Sequence, residues 1–228
     1  MSTGTWARRT GMTAVATVAV TALAVPVGAQ AATDAPAAAP AAAPAAATAR
    51  TTPASTAEAA AASGKVGYDT WQQDCRAVMD QALPYLRERI ASARPGEKQA
   101  VVLDIDNTAL ETDFGFSFPQ PANQPVLTAA RYAQEHGVAL FFVTARPGVI
   151  AAPTEWNLEH DGYRVAGLRV RGLLDLFKDV AAYKTAQRAA IEKDGYTIIA
   201  NIGNSPTDLS GGHAEKTFKL PDYDGQLS

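Results

Sequence analysis

The chain has 228 residues, of which 47% are hydrophobic, and its formal net charge at pH 7 is -3. This length suits one domain with unstructured additions, and the lack of a basic excess argues against a nucleic-acid partner. With one cysteine, Cys75, the chain has no internal disulfide, so the fold must be stable through its core alone.

Residues 1–31 have the pattern of an export signal. Two arginines at 8–9 are followed by an apolar stretch over 12–25, and the small residues Ala29 and Ala31 predict cleavage after position 31. The apolar stretch is short for a bilayer, which favours cleavage over an uncleaved anchor and predicts no stable membrane span afterwards. The sequence therefore predicts a secreted protein, extracellular or in the cell envelope, and leaves Sec and twin-arginine export open.

Residues 32–66 form a second segment outside any plausible core. Up to residue 62 the segment is almost entirely Ala, Pro and Thr, and it lacks the side chains that a core needs. Such a composition predicts a disordered linker, and the folded domain is predicted to occupy residues 67–228.

Helical and extended patterns alternate from Tyr68 onward. Apolar residues recur at helical spacing in the first helix, where Pro84 predicts a kink: Trp71, Cys75, Val78, Met79, Ala82, Leu86 and Ile90. On this stripe Cys75 is interpreted as a buried small hydrophobe. Apolar runs predict strands at 100–103, 138–143, 165–170, 197–202 and 217–220, and helical patterns lie at 126–135, 153–160 and 181–193. This alternation predicts a mainly parallel sheet in a three-layer α/β/α sandwich.

In parallel sheets of this kind, ligands bind at the carboxyl ends of the strands, so the polar residues that follow the apolar runs are the candidates for function. Asp104 and Asp106 follow the first strand, and two carboxylates held together there suit a hard cation such as Mg²⁺. A solvated acidic turn explains the same spacing equally well. Thr144 follows the second strand, where a hydroxyl can hold a phosphate oxygen.

Two further segments complete the set. Lys184 is interpreted as opening a helix, where a cation opposes the helix dipole and a purely structural role is slightly less natural, although for this residue taken alone a solvated lysine is the favoured interpretation. Gly203 permits a tight turn after the fourth strand. Asn204 and Asp208 then supply oxygen donors, and Asn204 is also a candidate cap for a helix starting near Pro206.

The order of these segments resembles the four motifs of the haloacid dehalogenase (HAD) superfamily, over roughly Tyr68 to the C-terminus. The matching stretches are VVLDIDNT at 101–108, FFVTARP at 141–147, YKT at 183–185 and NIGNSPTDL at 201–209. The last two stretches and the segment between them look most like subfamily IIIB, the secreted acid phosphatases, which include the plant vegetative storage proteins.

The resemblance implies a role for each matching residue in a Mg²⁺-dependent acid phosphatase. Asp104 would be the nucleophile, Asp106 the general acid and base, and Thr144 and Lys184 would hold the transferring oxygens. Mg²⁺ would be bound by the Asp104 carboxylate, the Asp106 backbone carbonyl, Asp208 and the residue at 204. The family usually has Asp at that last position, so Asn204 is a departure that removes a negative charge from the metal site.

Thr144 lies 36 positions after Thr108, which leaves room for a flap and one helix and implies a minimal cap. Phe114, Phe116 and Phe118 either roof the site or pack onto the body, and packing is favoured. The leading function is hydrolysis of a small phosphomonoester substrate. A catalytically weak or inactive phosphate-binding or storage protein and a phosphotransferase are the alternatives, and the sequence leaves the oligomeric state open.

Overall fold

The computed structural model describes residues 66–227, so the predicted signal and nearly all of the linker lie outside the described residues. In chain order the main elements are α1 (Tyr68–Ala91), β1 (Lys98–Leu103), α2 (Gln124–Glu135), β2 (Ala139–Pro147), α3 (Ala151–His160), β3 (Val165–Arg171), α4 (Val180–Lys193), β4 (Tyr196–Gly203), α5 (Pro206–Leu209) and β5 (Thr217–Lys219). Short 3₁₀ helices, Gly148–Ile150 and Asp175–Phe177, precede α3 and α4. Over the described range, no helix is both long and apolar enough to cross a membrane.

The five strands form one sheet in the order β3-β2-β1-β4-β5, and every pairing in it is parallel. The chain moves outward from β1 to β3 and then returns to β4 on the other side of β1. The carboxyl ends of β1, β2 and β4 therefore lie side by side at the point where the strand order reverses, which is where such sheets bind ligands.

Alternate residues of β1 face opposite sides of the sheet and enter separate clusters. Val101 and Leu103 pack in the larger cluster, which contains residues from α1, α2 and α3. Ala100 and Val102 pack in the smaller cluster, with Ile191 of α4. Because helices cover both faces, the predicted three-layer α/β/α sandwich is confirmed.

The first helix buries the predicted apolar stripe, from Trp71 to Leu86. Pro84 lies inside α1, which continues to Ala91, and the kink stays a prediction. Cys75 is fully buried, and the Asn123 side chain donates a hydrogen bond to its sulfur at 3.5 Å. Burial raises the pKa of this thiol to about 12, so Cys75 is a packing residue and not a reactive thiol.

The segment between β1 and β2 contains the flap, residues 109–123, followed by α2. Phe114 stacks on Trp71 with the ring centroids 4.5 Å apart, which confirms packing onto the body for this residue. Phe116 is fully exposed, and Phe118 stacks on Trp156 of α3 at 5.5 Å. The cap is therefore a short flap whose outer end carries two exposed aromatic rings.

Candidate active site

Three of the predicted residues meet through one buried ammonium group. Lys184 Nζ lies 2.6 Å from Asp104 Oδ1 and 2.5 Å from Asp208 Oδ1. All three side chains are buried, and they come from β1's carboxyl end, from α4 and from α5. The ammonium thereby joins the loops after β1 and β4. These two strands are neighbours in the sheet, so the loops that follow them lie close together.

Burial and charge oppose each other in this group. Burial raises the pKa of Asp104 to about 7 against the effect of the Lys184 cation, and the nearby Asp208 and Asp106 add to the rise. Burial lowers the pKa of Lys184, but the negative charges of Asp104 and Asp208 raise it by more than burial lowers it. The net shift of this pKa is therefore upward, and the ammonium stays charged. Each charge is stable in the interior only because its partners are present.

The loop that carries Asp208 is fixed by local hydrogen bonds. Asp208 Oδ2 accepts a hydrogen bond from the Ser205 N–H at 2.8 Å, and the Ser205 hydroxyl accepts one from the Thr207 N–H. Ser205, and not Asn204, therefore caps α5, which corrects the predicted cap. A Cβ at Gly203 would clash with the Asp208 side chain, so a glycine is required there for close approach.

Lys184 does not open its helix as predicted. The helix α4 begins at Val180, and the Asp179 side chain caps it by accepting from the Ala182 N–H at 2.8 Å. Lys184 therefore lies one turn inside, where the inner face of α4 points at the strand ends. Its position on that face, and not the helix dipole, brings it to the two carboxylates.

Arg188 is a buried residue of the site that sequence reasoning missed. It lies one turn after Lys184 on the same face of α4, and its Nη1 donates to the Asp208 carbonyl at 2.7 Å. Its Nε donates to the Gly212 carbonyl at 2.9 Å, and Nη2 donates to the Ser210 carbonyl. Arg188 thus holds the backbone of the loop that carries Asp208, while Lys184 contacts the Asp208 side chain. The i, i+4 spacing between Lys184 and Arg188 was the signal available in the sequence.

Asp106 is paired with a different cation, Arg146. The guanidinium binds the carboxylate with two prongs, Nη2 to Oδ1 at 2.8 Å and Nε to Oδ2 at 3.0 Å. Arg146 is held in turn by Gln120 Oε1 at 2.7 Å and by Thr154 Oγ1 at 3.2 Å. The Asp106 side chain remains partly exposed, so the arginine orients it without closing it off.

Thr144 is fully buried near the end of β2, and its hydroxyl accepts the Arg146 N–H at 3.1 Å. The strand register pairs Leu103 with Phe142, so Thr144 of β2 and Asp104, the residue after β1, lie at similar heights on neighbouring chain segments. Thr144 lies inside β2, which runs to Pro147, and not after the strand as predicted, because the strand is longer than its apolar run.

Asn204 is buried beside the loop after β1. Its Oδ1 accepts a hydrogen bond from the Thr108 hydroxyl at 3.3 Å, and its Nδ2 donates to the Leu227 carbonyl. Because a carbonyl only accepts, this contact fixes which end of the amide faces which partner. The amide oxygen is therefore the atom that Asn204 directs towards the loop after β1.

The donors at this edge suit a hard dication in kind. Asp104, Asp106 and Asp208 supply three negative charges against the positive charges of Lys184 and Arg146, and oxygen ligands of this type fit Mg²⁺. Within residues 66–227, no group of three or more His, Cys, Asp or Glu side chains is arranged to hold a metal ion. A metal here would therefore need the Asn204 amide and backbone oxygens in addition to the carboxylates.

A cleft of about 410 Å³ opens beside the Asp106–Arg146 pair. Phe116 and Phe118 of the flap form one side, and residues of α3, including Pro153 and Asn157, form the other. The lining combines apolar side chains with the polar side chains of Asp106, Arg146 and Gln120. The cleft therefore has room for part of a ligand that contacts Asp106.

The comparison with protein families decides the classification. The family model of the HAD superfamily, subfamily IIIB (Acid phosphatase), matches residues 24–120 and 117–226, which together are most of the chain. The chain belongs to this family. The predicted resemblance is therefore confirmed for the subfamily IIIB acid phosphatases.

Two soybean proteins, the stem 28 kDa and stem 31 kDa glycoproteins of Glycine max, are each 36% identical to this subfamily IIIB chain over 89 residues. Those residues are 37% of this chain and 35% and 31% of the relatives, so the match spans about a third of each relative's length.

The class C acid phosphatase from Bacillus anthracis has a similar fold. Its structure superposes with a TM-score of 0.55 at 16% identity, and the complex with tungstate bound superposes at 0.54 and 14%. Each match covers 69% of this chain and 80% of the other. At this identity the likeness shows the α/β fold of this chain and nothing finer.

Proposed function

We propose that the protein is a Mg²⁺-dependent acid phosphatase that hydrolyses small phosphomonoesters through an aspartyl-phosphate intermediate on Asp104. The observation that carries the proposal is the buried Asp104–Lys184–Asp208 group at the strand ends of a subfamily IIIB chain. The neighbour with tungstate bound supports an oxyanion site in that protein. An ammonium beside a carboxylate nucleophile offsets the charge repulsion that makes phosphate esters slow to hydrolyse.

The reaction would run in two displacements. An Asp104 carboxylate oxygen attacks phosphorus, the bond from phosphorus to the ester oxygen breaks, and Asp106 gives its proton to the leaving alcohol. Asp106 then takes a proton from water, whose oxygen attacks the phosphoryl group, and the bond to Asp104 breaks as inorganic phosphate forms. Thr144 and Lys184 would hold the phosphoryl oxygens throughout.

The metal would be held by the Asp104 carboxylate, the Asp106 carbonyl, Asn204 and Asp208. When bound, Mg²⁺ supplies fixed positive charge next to the transferring group. Arg146 is separate from this set, since it binds the Asp106 side chain and orients the group that moves the proton.

The function is tested with para-nitrophenyl phosphate and the purified domain. We expect release of inorganic phosphate that falls by about tenfold or more with EDTA and returns with added Mg²⁺. An unchanged rate in EDTA would contradict the metal requirement. No turnover, with binding of inorganic phosphate retained, would favour the non-catalytic alternative that the uncharged Asn204 motivates. Transfer to added glycerol in place of phosphate release would identify a phosphotransferase.

Replacing Arg146 tests the assigned role of Asp106. In Arg146→Met the Asp106 carboxylate loses its two-pronged partner, and we expect kcat to fall by about ten- to a hundredfold. Arg146→Lys keeps the charge but not the fork, so we expect only partial recovery of kcat. Steady-state kinetics and circular dichroism measure both. A kcat equal to that of the wild type in the methionine variant would show that Arg146 does not position Asp106.

Export remains part of the proposal, since residues 1–31 lie outside the described structure. We expect the secreted protein to begin at or near Ala32, because the small residues before that position suit a signal peptidase. N-terminal sequencing of protein from the medium measures this directly. Membrane-bound material that retains Met1 would show an uncleaved anchor.

A further inference from the structure

The loops after β1 and β4 share one hydrogen-bond acceptor that belongs to neither of them. Asn107 Nδ2 donates to the Leu227 carbonyl at 3.1 Å, and Asn204 Nδ2 donates to the same oxygen. All three residues are buried. A carbonyl has two lone pairs, so this contact uses both and ties two catalytic loops to one atom of the C-terminal segment.

Asn107 is the residue that shapes the loop after β1. It has a left-handed backbone, with φ at 51°, and its Oδ1 accepts the N–H groups of Thr112 and Asp113 at 3.2 Å each. Its Nδ2 gives one hydrogen to Asp113 Oδ2 at 3.0 Å and the other to Leu227. Asn107 follows Asp106 directly, so the contact with Leu227 fixes the backbone next to the proposed proton-transfer residue.

Asn204 holds the corresponding position in the other loop. It follows Gly203, the last residue of β4, and its Oδ1 accepts from Thr108, the residue after Asn107. The two amides therefore form a closed connection between the loops, through Thr108 on one side and Leu227 on the other. An aspartate at 204 would replace the donor with a charged acceptor facing a buried carbonyl, which is strongly unfavourable.

The C-terminal segment that supplies the carbonyl is itself anchored to the body. Tyr223 donates its hydroxyl to Asp74 Oδ2 of α1 at 2.7 Å, and the Leu227 N–H donates to the Asp222 carbonyl at 3.1 Å. The Leu227 side chain is buried in the larger core cluster. The acceptor is therefore held in place by contacts independent of the two amides.

From these contacts, and on the basis of the proposed function, the structure assigns a positioning role to the Leu227 backbone carbonyl. It sets the separation of the loops that carry Asp104, Asp106 and Asp208, and it requires an amide at 204. The uncharged residue that departs from the family pattern is thus a partner of the chain's own C-terminal segment. An aspartate at 204 and this carbonyl exclude each other.

The test combines two changes in a double-mutant cycle. A chain ending at Gln226 lacks the carbonyl, while Leu227→Ala keeps the carbonyl and removes only the buried side chain. We expect kcat to fall by about tenfold or more in the shortened chain, with a smaller loss in Leu227→Ala, because loop misplacement of a fraction of an ångström is costly. We expect Asn204→Asp to lower kcat by at least about tenfold in the full chain. The loss of kcat should be clearly smaller in the shortened chain, where no carbonyl opposes the carboxylate.

Hydrogen exchange supplies a readout that does not depend on activity. The Thr112 and Asp113 amides, which Asn107 holds, should exchange about tenfold faster in the shortened chain than in Leu227→Ala. Equal exchange and equal rates in those two variants, or an Asn204→Asp effect of the same size in both chains, would overturn the proposal. A wild-type protein without phosphatase activity would overturn the proposed function instead, and the exchange comparison would still decide this one.

Discussion

Asp104→Asn should reduce turnover by about a thousandfold or more while leaving the fold intact. The amide has the shape of the carboxylate but is a poor nucleophile towards phosphorus, so the first displacement is lost. The fold should survive because Lys184 keeps its partner in Asp208, 2.5 Å away, and no buried cation is left unpaired. Steady-state rates and circular dichroism measure the two effects separately.

The matched control is Asp80→Asn, which makes the same chemical change on an exposed face of α1. A short reaction of the wild-type protein, quenched in acid, should also show the added mass of one phosphoryl group on the peptide that contains Asp104. Activity in Asp104→Asn within tenfold of the wild-type rate, or a phosphoryl group on a different peptide, would rule out covalent catalysis on this residue.

Lys184→Met should cost both activity and stability. Removing the ammonium leaves Asp104 and Asp208 buried without their shared cation, and breaking a buried pair in this way destabilises a protein by about 3–5 kcal/mol. Lys184→Arg retains the charge and is the matched control, although its planar head does not fit a site built around one nitrogen. Denaturant unfolding in EDTA measures the free energy of unfolding for each variant.

The stability loss in Lys184→Met should depend on pH with a definite sign. Burial already raises the pKa of Asp104 from 3.8 to about 7, and without the cation this pKa should rise further. A raised pKa means that the folded state binds the proton more tightly than the unfolded chain does, so the folded state is favoured at low pH and loses stability as pH rises. The variant should therefore differ least from the wild type below about pH 7, where Asp104 is protonated in both folded proteins, and increasingly above about pH 7. An equal loss at both ends would show that Asp104 does not depend on Lys184.

The fold was predictable because its elements have strong local signals. The continuous apolar run at 100–103 predicted a strand buried on both faces, and β1 is that strand. The spacing from Trp71 to Leu86 predicted the buried face of α1, including Cys75. Parallel order and the strand-end rule then placed Asp104 and Asp208 near each other without any knowledge of contacts.

The parts that could not be predicted are contacts between distant segments. Arg146 and Asp106 are 40 residues apart, and nothing local to either indicates the pairing. The Leu227 carbonyl is a backbone atom, so no residue type marks it in the sequence. Arg188 showed a helical spacing from Lys184, but a buried arginine that donates mainly to backbone carbonyls has no compositional signal.

The helix α4 holds Asp208 from two directions at once. Lys184 contacts its side chain and Arg188 its backbone carbonyl, from adjacent turns of one helix. If α4 shifts as a rigid rod, both contacts move by the same amount and the loop is carried along with them. A displacement of the helix then changes the distance between Lys184 Nζ and the Asp208 carboxylate very little, because both groups move together. We therefore expect substitutions on the outer face of α4 to disturb the Lys184–Asp208 contact less than substitutions in β4 do.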